Sequence, residues 1–378
     1  MTANGSTSTA ILAGLLVRGR DGGTWDGTID PALVREAERH DIGPLVYRAL
    51  HRGGAWDRQS DGVRDALTRI AAEAALLDEV RRRRDREMIA ALAASGIEPL
   101  VFKGAALGHR HYAESWLRPR VDTDLLIRSD DQAATATVLE RLGYTRAARP
   151  TGDHVTHQFT YGAGTPAGWV EYDVHWKIAD PQVFADVLTY DEAALDAVPL
   201  PALGGSARAI GDVHALVVAC THRVAHHFDT DSLQFLYDVD VVARRLGENQ
   251  WDRVAAFASA KRMRRVCARG LQLAADRFAT PVPSRIWSVL AADGPEPSAR
   301  YLEPRLRRVD ILRSDLRTLG WRARLRLLRE HLLPPPAYLL ASYGTTHAAL
   351  LPVLYAHRIV RGAFRWFRPL RPDASART

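Results

Sequence analysis

The feature that most restricts this chain is Asp122-Thr123-Asp124 at the head of the apolar run Leu125-Leu126-Ile127. On a β-strand alternate residues leave the same face, so both carboxylates point the same way. Two such groups side by side repel each other, and a hard divalent cation is the usual means of neutralising them. Upstream, residues 97–102 read as a second strand that stops at Lys103-Gly104. A small-residue helix is expected from 105 to 112. A glycine turn ahead of a helix leaves backbone N–H groups free, and these suit phosphate. A strand, a glycine turn, a helix and an acidic strand in that order point to metal-dependent chemistry on a phosphate-bearing molecule.

Two-metal transfer reactions use further carboxylates. The segment 169–176 supplies them, because Glu171, Asp173 and His175 alternate with Val170, Tyr172 and Val174 and so share a strand face. Asp173 is the preferred third acid, since it sits mid-strand and His175 can orient it; Glu171 is the alternative. His222 and His226 stand four apart on an expected helix, but no third zinc ligand accompanies them, so a structural or substrate-facing role is expected.

The texture of the 378 residues divides the chain into a helical region at 1–95, an α/β unit at 96–210, a helical region at 211–330 and a basic, aromatic tail at 331–378. Residues 1–10 read as unstructured. Asp30-Pro31 should cap and begin a helix, and one long helix is expected from 62 to 95. Residues 162–168, rich in glycine, read as a loop between two strands, and 300–331 as one basic amphipathic helix. The net charge of +7 favours polyanionic partners. No RNA-binding signature of the RRM or KH type accompanies it, so nucleic acid is not indicated. Cys220 and Cys267, the two cysteines, read as buried thiols. The expected location is cytoplasmic, with no transmembrane segment.

Lys103-Gly104 at a strand end, Arg118 ahead of Asp122-x-Asp124, and Asp173-x-His175-Trp176 on a later strand together resemble the bacterial uncharacterised nucleotidyltransferase family of the polymerase-β-like superfamily. The resemblance spans roughly 30–343. It implies an α+β fold, a mixed sheet flanked by helices. It also implies Mg²⁺, two ions with Mn²⁺ as a substitute, held by Asp122, Asp124 and Asp173. An NTP, ATP first, would lie on the Gly104 turn, with Lys103, Arg118, Arg120, His175 and Asp238 as nucleotide contacts. The reaction implied moves a nucleoside monophosphate to a small-molecule or peptide acceptor. One departure stands out: the superfamily's turn is Gly-Ser, whereas this chain has Lys103-Gly104-Ala105, with a charge in place of a hydroxyl. A kinase or sugar-phosphate transferase on the same fold, or a non-catalytic nucleotide or RNA binder, are the rival expectations.

Overall fold

The structure is a computed structural model that describes residues 3–149 and 152–370. Its N-terminal third is helical: α1 (Ala3–Asp21), α2 (Pro31–Arg39), α3 (Gly43–Arg52) and α4 (Asp61–Ala94). Asp30 caps α2 as its spacing predicts, accepting a hydrogen bond from the Leu33 N–H at 2.8 Å, with Pro31 in the first turn. The expectation of an unstructured start is corrected. Helix α1 begins at Ala3, because Leu12, Leu15 and Leu16 bury one face in the core and the helix propagates back from that anchor. Helix α4 holds 34 residues and spans roughly 50 Å at the usual rise per residue. Its first half gives Val63 and Leu67 to one core, and its second half gives Met88, Ile89 and Leu92 to another.

Between those cores lies a seven-stranded mixed sheet of order β3-β4-β5-β2-β1-β7-β6. Its strands are β1 (Leu100–Phe102), β2 (Asp122–Leu126), β3 (Thr145–Arg146), β4 (Gln158–Thr165), β5 (Gly168–His175), β6 (Val198–Pro199) and β7 (Arg208–Ala209). Helix α5 (Lys103–His111) connects β1 to the segment before β2, and α6 (Gln132–Arg141) follows β2. Strand β2 runs antiparallel to β1 and parallel to β5. Alternation divides its residues cleanly. Leu126 joins Leu100 and Phe102 in the first core, while Leu125 joins Val101 and Val174 in the second. The expected loop at 162–168 is mostly strand, since β4 and β5 pair down to Thr165 opposite Gly168. One of the glycines that suggest a loop, Gly162, serves packing instead. A side chain at Gly162 would strike the Trp169 indole at 2.3 Å, so that ring lies across bare backbone.

After the short helices α7 (Gln182–Ala185) and α8 (Tyr190–Leu195), the chain returns to helices with α9 (Asp212–Ala225), α10 (Leu233–Ala243), α11 (Glu248–Ala260) and α12 (Arg264–Phe278). The expected helix at 300–331 is three pieces: a 3-10 turn at Pro297–Leu302, then Arg308–Thr318 and Trp321–Leu332. Pro304 and Gly320 stand at the two breaks, where one lacks an N–H and the other disfavours helix. Among the described residues no helix is long and apolar enough to cross a membrane.

Candidate functional site

Parallel pairing of β2 with β5 brings the two acidic segments together. Asp122 lies opposite Glu171, Asp124 opposite Asp173, and Leu126 opposite His175. One ligand atom each from Asp124, Asp173 and His175 lies within 4.8 Å of the others, and all three residues are buried. Two hydrogen bonds orient Asp173, from the Thr160 hydroxyl to Oδ1 at 2.5 Å and from the Gln158 amide to Oδ2 at 2.7 Å. Both donors sit on β4, the antiparallel neighbour of β5. Neither is expected from the acidic motifs, although their spacing of two on a strand is the signal that would have placed them on one face.

Lys103 ends β1 and opens α5 with φ of +52°, a left-handed conformation that a side chain other than glycine adopts at a cost of about 1 kcal/mol. Its ammonium donates to Asp124 Oδ1 at 2.8 Å and lies 3.3 Å from His175 Nε2, which is itself 2.9 Å from the same oxygen. The His175 ring stands edge-on to Phe102, with centroids 5.0 Å apart. Burial alone would raise the Asp124 carboxyl. The Lys103 charge and the His175 hydrogen bond override it and hold Asp124 below the usual carboxylate range. Asp122 responds oppositely. Burial, then the charges of Asp124 and Asp173, push it up to about 7. Among the carboxyl groups Lys103 bonds only Asp124, while Asp122 and Asp173 add two further ones on the same face, an environment that a divalent cation relieves.

The remaining expected contacts fall in two places. Arg118 and Asp238 form a buried bidentate pair, Nε to Oδ1 at 2.8 Å and Nη2 to Oδ2 at 2.7 Å, and the Tyr112 hydroxyl adds 2.7 Å to Oδ1. Gly104 makes room for that pair: a Cβ there would meet Arg118 Nη1 at 2.6 Å. Arg120 takes a different partner, because its Nη2 donates to Asp85 on α4 at 2.8 Å. The Thr123 hydroxyl donates to the same carboxylate at 2.9 Å, which puts Arg120 on the Thr123 side of β2. Glu171, the alternative acid, is paired with Arg149 at 3.0 Å.

Over Lys103 sits a histidine group that sequence reasoning treats only in part. His222 and His227 approach to 3.1 Å between Nε2 atoms, and His227 packs against Phe235 with centroids 4.3 Å apart. Burial, followed by the Lys103 charge, holds His222 and His226 well below the usual histidine range, so both imidazoles are neutral at physiological pH. Behind them Arg223, fully buried, pairs with Asp229 and carries the turn that presents His226 and His227. A narrow cavity between α5, α9 and α10 is lined by Lys103, Arg118, His222, Phe235 and Asp238.

The model of a family described as an uncharacterised nucleotidyltransferase matches residues 28–279, two thirds of the chain. A search of curated proteins found no match.

Proposed function

The chain belongs to the uncharacterised nucleotidyltransferase family, and from that premise we propose that it moves a nucleoside monophosphate from an NTP, ATP first, to a small-molecule or peptide acceptor with release of pyrophosphate. The observation that carries this reading is the convergence of Asp124 and Asp173 on adjacent parallel strands, with Asp122 beside them. The donor set fits a hard divalent cation. Two buried carboxylates offer oxygens within reach of one ion, and the Asp122 carboxyl is raised first by burial and then by the charges of Asp124 and Asp173. Asp122, Asp124 and Asp173 would hold Mg²⁺, with Mn²⁺ better suited if the His175 nitrogen joins them. Bound there, the metal neutralises phosphate charge and acidifies the acceptor hydroxyl.

The protein's own groups supply position and charge. Lys103, already desolvated beside Asp124, has an ammonium within reach of a phosphate oxygen, which replaces the hydroxyl of the superfamily's Gly-Ser turn. Thr160 and Gln158 fix the Asp173 carboxylate so that it need not reorganise. The neutral histidines add no charge against Lys103 and offer hydrogen bonds to the acceptor side. Asp238 holds Arg118 in the cavity wall.

The test is product analysis with each NTP labelled at the α- or γ-phosphate, in Mg²⁺ and in EDTA. Label from the α-phosphate should move to the acceptor and pyrophosphate should appear, with loss of both in Asp173→Asn. Release of a nucleoside diphosphate instead would replace this reading with a kinase.

A further inference from the structure

A second cavity, of about 270 Å³, opens beyond Tyr112. Five arginines line it: Arg20 of α1, Arg48 and Arg52 of α3, and Arg244 and Arg245 at the end of α10. No carboxylate is among its lining residues. Four helix C-termini meet there, those of α1, α3, α5 and α10, so part of this positive charge offsets helix dipoles. That accounts for the back wall only. Arg20 and Arg244 share the buried Asp240 at 2.7 and 2.9 Å, and each also donates to the Phe278 carbonyl. Arg48 holds Glu114 at 2.9 Å. Arg52 and Arg245, both exposed on the rim, pair with no carboxylate among the described residues, and Arg245 donates instead to the Arg110 carbonyl.

The count is uneven. Asp21, Asp240 and Glu114 answer five guanidiniums, which leaves an excess of positive charge around a concave space. Guanidinium forks match phosphate oxygens in pairs, two N–H donors to two oxygens. The wall from α1 lies ahead of residue 28, outside the residues that the family model matches. His111 lines both cavities, and Tyr112, which lines this one, hydrogen-bonds Asp238 in the wall of the other.

We propose that this arginine-lined cleft is a second anion site, distinct from the acidic cluster, which binds the phosphate-bearing end of a small ligand carrying two or more phosphate charges. The site stands whether or not the acidic cluster performs the transfer proposed above.

Titration calorimetry with inorganic tripolyphosphate in EDTA tests it on the full chain. The wild type should bind saturably, and the rim double variant Arg52→Glu/Arg245→Glu should bind at least about tenfold more weakly. Arg83→Glu, an exposed charge change on α4, and Lys103→Met, at the acidic cluster, should bind as the wild type does. Equal affinity in the double variant, an equal loss in Arg83→Glu, or loss in Lys103→Met alone would overturn the assignment. A second measurement needs no variant. Tripolyphosphate should protect Arg52 and Arg245 of the wild type from phenylglyoxal, read by peptide mass, and undiminished modification at both overturns the site.

Discussion

The two faces of β2 make opposite use of the same residue type. On the Thr123 face, Asp85 is fully buried, accepts from Arg120 at 2.8 Å and from Thr123 at 2.9 Å, and is thereby neutralised and hydrogen-bonded. On the Asp124 face, Lys103 and His175 both engage Asp124, Asp173 accepts only from the neutral Gln158 and Thr160, and burial with the charges of Asp124 and Asp173 pushes Asp122 up to about 7. A buried charge that serves the fold is matched by opposite charge, because an unmatched one is too costly. Carboxylates left in excess mark the face on which we propose that a cation binds. Counting partners, rather than counting acids, separates the structural side of the strand from the chemical side.

Substitution on each face should break the symmetry in a different observable. On the acidic face Asp173→Asn should lower product formation at least about a hundredfold, with a melting temperature close to that of the wild type. On the other face Asp85→Ala should destabilise the protein by about 3–5 kcal/mol by stranding Arg120, measured by urea unfolding. Equal effects of both on stability would end the distinction.

The Asp122 carboxyl sharpens the comparison through pH. Its folded pKa of about 7 lies above its ordinary 3.8, so the folded state binds the proton more tightly. The stability it contributes is complete below about pH 4 and is lost as pH rises through 7. Asp122→Asn should therefore stabilise the metal-free protein at pH 8, by on the order of 1–3 kcal/mol, and leave it unchanged near pH 4. Mg²⁺ should stabilise the wild type at pH 8 and do so less in Asp122→Asn, by thermal shift. A variant equally unstable at both pH values would show that the three carboxyls do not repel.

The smallest expected effect lies between the two cavities. Tyr112→Phe removes one of three hydrogen bonds to Asp238 and should cost about 1 kcal/mol. A larger loss would mean that Tyr112 holds the wall between the acidic cluster and the arginine cleft.

The acidic face was legible in the sequence because strand alternation is a short-range rule: Asp122 with Asp124, and Asp173 with His175, share faces by spacing alone. The long helix α4 and the cap at Asp30 were legible for the same reason. Gly162 misled, since absence of a side chain signals a loop as well as it signals room for a neighbouring indole.

What the sequence by itself determined is therefore the set of local elements and which residues share a face within each. Only the tertiary structure decided the partners: Asp85 for Arg120 across 35 positions, Asp238 for Arg118 across 120, Gln158 and Thr160 for Asp173, and five arginines from three helices around one cleft. The physical reason is range. Periodicity follows from backbone geometry within a few residues, whereas a buried charge finds its counterion wherever strand order and helix packing bring one close, and no local pattern encodes that meeting.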